Sequence, residues 1–281
     1  MPKNTKEQII YALLNVSALF VVLPVALVVY LLVKEGLPAI NWTFLSQPPV
    51  NMMRDGGILP AIVGTVCLII GTVIFALPLG VLAAVYLSEY ARPGMLTRLI
   101  RLAIVNLAGV PSVVYGLFGL GVFVMLLRFG ASILSGSLTL AIMTLPVVIT
   151  ASEEALSSVP RSFREASLAL GATRWQPTVR VVLPNAIPGI ITGLILGVGR
   201  AAGETAPILF TVAAFYLRDL PRSSYDQAMA LPYHLYVIST QVPNASPKIQ
   251  WGTALVLLAL VLGMNLAAAV IRTRFRRARK W

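Results

Sequence analysis

Histidine and cysteine are nearly absent from this chain: His234 and Cys67 are the only ones in 281 residues. One cysteine excludes a disulfide framework or a thiolate metal cluster within the chain. Hydrolytic chemistry wants a nucleophile with a basic partner. Cys67 has no such partner nearby in sequence, and His234 is expected in an outer loop as a polar surface residue. An intramembrane enzyme therefore finds little support. No Gly-rich run of the phosphate-cradling kind occurs, so the chain is expected to carry neither a nucleotide site nor a cofactor of its own. Charge is scarce as well. Only 11% of residues are charged, against about 25% in soluble domains.

What is present is apolar. Hydrophobic residues make up 58% of the chain, and the mean hydropathy is +0.85. That leaves too little polar surface to cover a globule in water, so the fold class is an all-α integral membrane protein, a helical bundle in lipid. Apolar stretches long enough to span the hydrocarbon lie at about 9–33, 58–87, 102–127, 133–151, 187–215 and 251–271, each near the roughly 20 residues a span needs. The first follows Lys3 and Lys6 as a secretory signal would. Its uncharged run of 25 residues exceeds the roughly 7–15 of a signal core, so an uncleaved anchor is expected.

The net charge of +12 follows from topology. With the N-terminus inside, fifteen Lys and Arg fall in inner segments and six in outer ones, while Arg200 lies within a span. That asymmetry places both termini in the cytoplasm, and nucleic-acid binding is not needed to explain the charge. Two outer loops, about 34–57 and 216–250, are expected. Trp42, Tyr216, Tyr233, Tyr236 and Trp251 fall at span ends, where such rings favour the interface. Residues 225–241 suit a short helix on the outer surface, broken at Pro232. Pro60, Pro78, Pro146 and the Val110-Pro111-Ser112 interruption lie in spans. Each is either a packing kink or backbone beside a cavity.

The inner loop, 152–185, carries two helix signatures. Ser162-Phe163-Arg164-Glu165 fits a capping box, with Glu165 near the positive end of the helix dipole. Phe163, Ala166 and Leu170 then share a face, and Gly171 can close the helix in a left-handed conformation. Thr173-Arg174-Trp175-Gln176 offers a second box, although Pro177 blurs its start. Two short helices hinged at Gly171 suit docking in a partner's groove. The alternative is an interfacial helix on lipid headgroups, but Glu153, Glu154 and Glu165 offset Arg161 and Arg164 there.

The fifth span begins with glycines at four-residue spacing, Gly189, Gly193 and Gly197, a face that admits another helix closely. Arg200, Gly203-Glu204 and Pro207 are expected to continue that face, with Arg200 and Glu204 paired at i, i+4. Charges this far into a span face the bundle interior or a watery path. They form either a buried ion pair that locks helices together or an anion site. In the latter, the Arg200 fork suits phosphate oxygens. Glu204 would position the arginine or meet a partly protonated oxyanion.

Specific motifs carry a resemblance. The run from Glu165-Ala166-Ser167 through Gly171 to Val181-Val182-Leu183-Pro184 resembles the ATPase-docking loop of ABC-importer permeases, with Ser167 and Val181 as mild departures. Arg200-Ala201-Ala202-Gly203-Glu204-Thr205-Ala206-Pro207 is similar to a segment of the phosphate-importer permeases, the PstA and PstC subunits. So are the runs 60–65 and 109–116, and the resemblance, over 56–272, looks closer to the PstA type. It implies a type I ABC-importer permease of MetI-like fold. The expected layout is an N-terminal helix and outer loop at 1–55, a five-helix permease unit at 56–275 and a basic tail at 276–281.

The same resemblance implies a PstC-like sister permease and two PstB-like ATPases that carry ATP and Mg. It also implies a PstS-like phosphate-binding protein. Arg161, Phe163, Glu165, Ala166, Leu170 and Gly171 would couple to the ATPase, with the loop 161–184 as the lever. Arg200, Glu204 and Thr205 would line the path for inorganic phosphate. The PstC-type sister and a permease for another oxyanion are the nearest alternatives. An ion-coupled secondary transporter is the rival outside the ABC class.

Overall fold

The computed structural model describes residues 5–278; Lys3 and the last three residues of the expected basic tail, 279–281, lie outside them. Helix α1 (Thr5–Gly36) is long and apolar, and no residue in its most apolar stretch is buried. Near its end, Gly36 lies against the backbone of Trp251. The short helix α2 (Trp42–Ser46) is capped by Asn41, whose Oδ1 accepts from the Phe44 N–H at 2.7 Å. A two-residue ribbon follows, β1 (Pro49–Val50) antiparallel to β2 (Asp55–Gly56). The expected boundary at 55/56 falls inside it.

The bundle is built around α6 (Ile133–Ser157), and 67% of that helix's most apolar stretch is buried. Helix α3 (Leu59–Val85) packs along one side of it. Along the other runs α9 (Leu183–Ala201). α6 tolerates this crowding because its inward positions are small or hydroxylic, including Ser135, Gly136, Ser137, Thr139 and Thr144. Thr139 Oγ1 donates to the Ser135 carbonyl at 2.8 Å, and Thr144 Oγ1 to Ala141 at 2.9 Å. Small residues let backbones approach where lipid offers no hydrophobic drive, and bonds such as those of Thr139 and Thr144 satisfy buried hydroxyls within the helix.

Among the described residues, five helices are long and apolar enough to cross a membrane, and a bent pair makes a sixth if it counts as one span. That pair corrects the expected third span. Helix α4 (Met95–Ala108) meets α5 (Ser112–Gly119, continued by a π turn over Leu120–Leu126) at 103°. Pro111 lacks the N–H to bond back and disfavours helix in the residue before it, so the rod breaks at 109–111.

The expected fifth span is corrected at both ends. Its helical rod starts at α8 (Trp175–Pro177), passes through a π turn (Thr178–Val182) and ends at Ala201. Pro184 and Pro188 offer no backbone donor, and the wider turn before them absorbs the mismatch. The chain then turns at Ala202 and Gly203 and runs through 204–205 without helix, and α10 (Ala206–Thr211) is a separate short helix. Much of the expected inner loop is therefore helix. α6 extends to Ser157, leaving α7 (Arg161–Ala169) and the Gly171 turn as its projecting part.

At the opposite end, α11 (Leu231–Thr240) corrects the expected surface helix. It is buried from Leu231 to His234 and again at Val237 and Ile238, and Pro232 starts it rather than breaks it. The run 228–233 is nearly all apolar, and Thr65 of α3 accepts the Leu231 N–H at 2.8 Å, drawing the helix under the loops. His234 is thus buried, not a surface residue. Tyr233 is buried as well, and Tyr216 turns inward to donate to the Pro49 carbonyl at 3.0 Å. Helix α12 (Pro247–Ala278) completes the chain.

Candidate functional site

Two places stand out, one projecting from the bundle and one inside it. The projecting one is α7. Its helix begins after Pro160, and no side chain caps it, so the expected Ser162 box does not form. Pro160 pre-sets the entry, which moves Ser162 into the first turn and Glu165 into the second. The far end closes as expected of Gly171, at φ +81°. The Ala172 N–H reaches the Ser167 carbonyl at 3.3 Å and the Gly171 N–H reaches Leu168 at 3.0 Å, the paired bonds of a Schellman turn. Of the second box one arm forms: Gln176 Oε1 accepts the Thr173 N–H at 3.0 Å.

α7 buries no residue. Arg161, Phe163, Glu165 and Ala166 are exposed, and Leu170 is 90% exposed, with Trp175 exposed beyond it. Exposed aromatic and aliphatic side chains on a projecting helix form a docking face. Arg164, which faces inward, drew no attention in the sequence as a site residue. Its signal was an acidic residue, Glu89, at the far end of another span.

Inside the bundle, Arg200 occupies the last turn of α9. Gly189 and Gly193 lie against Ala155 and Ala151 of α6, where any side chain would collide, and Gly197 faces Thr144. Beyond that contact the helix stays packed on one side, with Val198 and Ala201 buried and Gly199 against Asn265 of α12. Leu196 and Arg200 are its exposed residues from Ile191 onward. Glu204 does not continue the helix, as the sequence pattern suggested, but sits in the turn after it. The Gly203 N–H bonds back to the Arg200 carbonyl at 3.1 Å. The turn folds the carboxylate back to the guanidinium, Nε to Oε1 at 3.4 Å, with the side chains 48% and 17% exposed. Thr205 precedes α10 without its side chain capping that helix.

The two helix breaks lie side by side. Gly116 of α5 packs against the Ala206 and Pro207 backbone, where a Cβ would fall 3.0 Å from the Ala206 carbonyl oxygen. Tyr115 donates its hydroxyl to the Leu107 carbonyl at 2.7 Å, bridging the 109–111 break. Tyr115 lay within a motif the sequence singled out, but its bridging role needed the bend. The result is a polar spot in an apolar bundle: a half-exposed guanidinium, a carboxylate and two unwound backbone segments. Among the described residues no group of His, Cys, Asp and Glu is arranged to hold a metal.

Residues 76–280 match the family of binding-protein-dependent transport system inner membrane components. The chain belongs to this permease family. It is 35% identical to the phosphate transport system permease protein PstA 1 of Mycobacterium tuberculosis, over 98% of this chain and 91% of that one. It is 37% identical to PstA of Mycobacterium leprae, over 91% and 85%. The probable phosphate transport system permease PstA of Methanocaldococcus jannaschii is 32% identical over 92% and 91%. Among solved structures, a bacterial alginate ABC transporter with its periplasmic protein superposes with a TM-score of 0.70 at 15% identity, covering 96% of each chain. The MetNI methionine ABC transporter gives 0.58 at 17% identity, over 78% of this chain and 94% of that one. The protein is a multi-pass membrane permease subunit of an ABC importer, with a MetI-like helical fold.

Proposed function

We propose that this permease forms half of a translocation path for inorganic phosphate, driven by ATP hydrolysed on separate subunits. The observation that carries the substrate is Arg200, a half-exposed guanidinium at a helix break within the apolar bundle. A charge there is costly unless it serves a polar path, and its planar fork fits phosphate oxygens. Glu204 holds the fork when the path is empty. It also favours an anion that still carries a proton, because a bare carboxylate would repel one without. Thr205 adds a hydroxyl in the same turn. The relatives named as phosphate transport permeases support the same substrate.

In this proposal a homologous PstC-like permease supplies the other half of the path. Two PstB-like ATPases bind ATP and Mg and engage α7 through Phe163, Leu170 and the neighbouring Arg161, Glu165, Ala166 and Gly171. A PstS-like binding protein delivers phosphate at the opposite end. The excess of Lys and Arg beside α7 and at the termini puts those segments in the cytoplasm. Helix α1 and the ribbon are then an addition to the five-helix permease unit.

The test is phosphate uptake by the complete complex in proteoliposomes. Arg200→Ala should leave the complex assembled and lower uptake about 10- to 100-fold, the worth of one or two charge-assisted hydrogen bonds. Wild-type uptake in that variant would remove Arg200 from the path.

A further inference from the structure

The docking helix is held lightly. α7 buries no residue, and its backbone packs mainly against the α8 turn and the π turn after it. A helix held only in this way can tilt at its Gly171 hinge without moving the helices behind it. Arg164 changes that. Its Nε and Nη2 donate to the two carboxylate oxygens of Glu89 at 3.0 and 2.7 Å, the bidentate geometry. Nη2 also donates to the Leu156 carbonyl at 2.9 Å, and Nη1 to that of Val159 at 2.7 Å.

These bonds join different elements. Glu89 lies on the π turn over Tyr86–Tyr90 that ends α3, and Leu156 lies in the last turn of α6. One planar group therefore fixes α7 to both central helices at once. The pair is largely withdrawn from water, with 11% of the Glu89 side chain and 20% of the Arg164 side chain exposed. Alongside it, Arg101 of α4 pairs with Glu153 of α6 and donates to the Leu87 carbonyl at 3.1 Å. The ends of α3 and α6 are tied to α4 and α7 in one polar clamp, beside a cleft of about 310 Å³ lined by Ser88, Glu89, Ser157, Arg161, Arg164 and Glu165.

We propose that Arg164 and Glu89 are positioning residues that convert movement of α7 into movement of α3 and α6, and through α6 of α9, which carries Arg200. This rests on α7 being the ATPase dock. A fork seated on a carboxylate sets orientation as well as distance, which a point charge does not. Helices packed as tightly as α6 and α9 then shift together rather than deform.

The experiment uses the complete importer in proteoliposomes with loaded binding protein. It measures ATPase subunits retained, ATP hydrolysed and phosphate imported. Arg164→Lys, Arg164→Ala and the near-isosteric Glu89→Gln should each keep the ATPases at wild-type stoichiometry. Phosphate imported per ATP should fall at least tenfold in each. The Glu89→Gln/Arg164→Ala double variant should be no worse than Arg164→Ala alone, because the two act as one joint. An unchanged ratio in Arg164→Lys and Glu89→Gln overturns the proposal. So does a double variant in which the losses multiply, or a loss of ATPase subunits that parallels the loss of uptake. Failure of the docking premise shows separately: Leu170→Asp, at a fully projecting position, would then retain the ATPases as well as wild type does.

Discussion

His234 sits on α11 with 2% of its surface exposed, and neither ring nitrogen has a hydrogen-bond partner. α11 has ten residues and lies outside the long apolar spans. Burial pushes the pKa of His234 down to about 4, from an ordinary value near 6.5. Between those values the unfolded chain binds the proton and the folded protein does not. The stabilisation from the neutral ring is complete above about pH 6.5 and drains away as the pH falls through the native value. The gap corresponds to about 3 kcal/mol. The melting temperature of the detergent-purified protein should therefore drop between pH 7 and pH 4.5, and His234→Phe should flatten that slope. An equal slope in the variant would assign the acid sensitivity to other groups. The sequence placed this lone histidine at the surface because burial of a short segment between two loops leaves no periodic signal. Gly171 is the opposite case. Its left-handed backbone was legible because a helix end followed by glycine has one common solution.

At the scale of elements, the glycine face of α9 was legible from its four-residue spacing, while its partner and its extent were not. Gly193 meets Ala151 with no room for a side chain, whereas a Cβ on Gly197 would rest 3.5 Å from Thr144, an ordinary contact. The two glycines should therefore respond in opposite ways. Gly193→Leu forces α9 off α6 and should cost about 1–3 kcal/mol or more, as overpacking does. Gly197→Ala should be neutral or gain up to about 1 kcal/mol from helix propensity. Thermal unfolding in detergent would separate them, and equal effects would refute the packing account. The breaks at 109–111 and 202–205 show how the sequence misleads at this scale. Both lie in apolar runs that hydropathy reads as continuous, and the run 187–215 looked like one helix. Pro111 at least marks the first break. The second lies beside the packing of Gly116 against α10, a contact between distant parts of the chain.

At the scale of the whole molecule, a permease engaged by ATPases at a projecting α7, as proposed, depends on ATP hydrolysed by another subunit. Removing ATP from proteoliposomes holding the complete complex should abolish phosphate accumulation. Accumulation that persists under a proton or ion gradient alone would point to a secondary transporter. The sequence by itself determined the solvent, the class of fold and the family, because composition, span length and short motifs are local properties that a bilayer constrains tightly. It also marked the residues most worth testing, Arg200 and the 161–184 lever. Only the tertiary structure decided that the third apolar run bends by 103°, that α11 is buried, and that Arg200 lies half-exposed at the last turn of α9. The same holds for Arg164 and Glu89, 75 residues apart and joined at a helix end. Pairings of this kind are set by which helices share a neighbour, and neither charge nor periodicity along one segment records that.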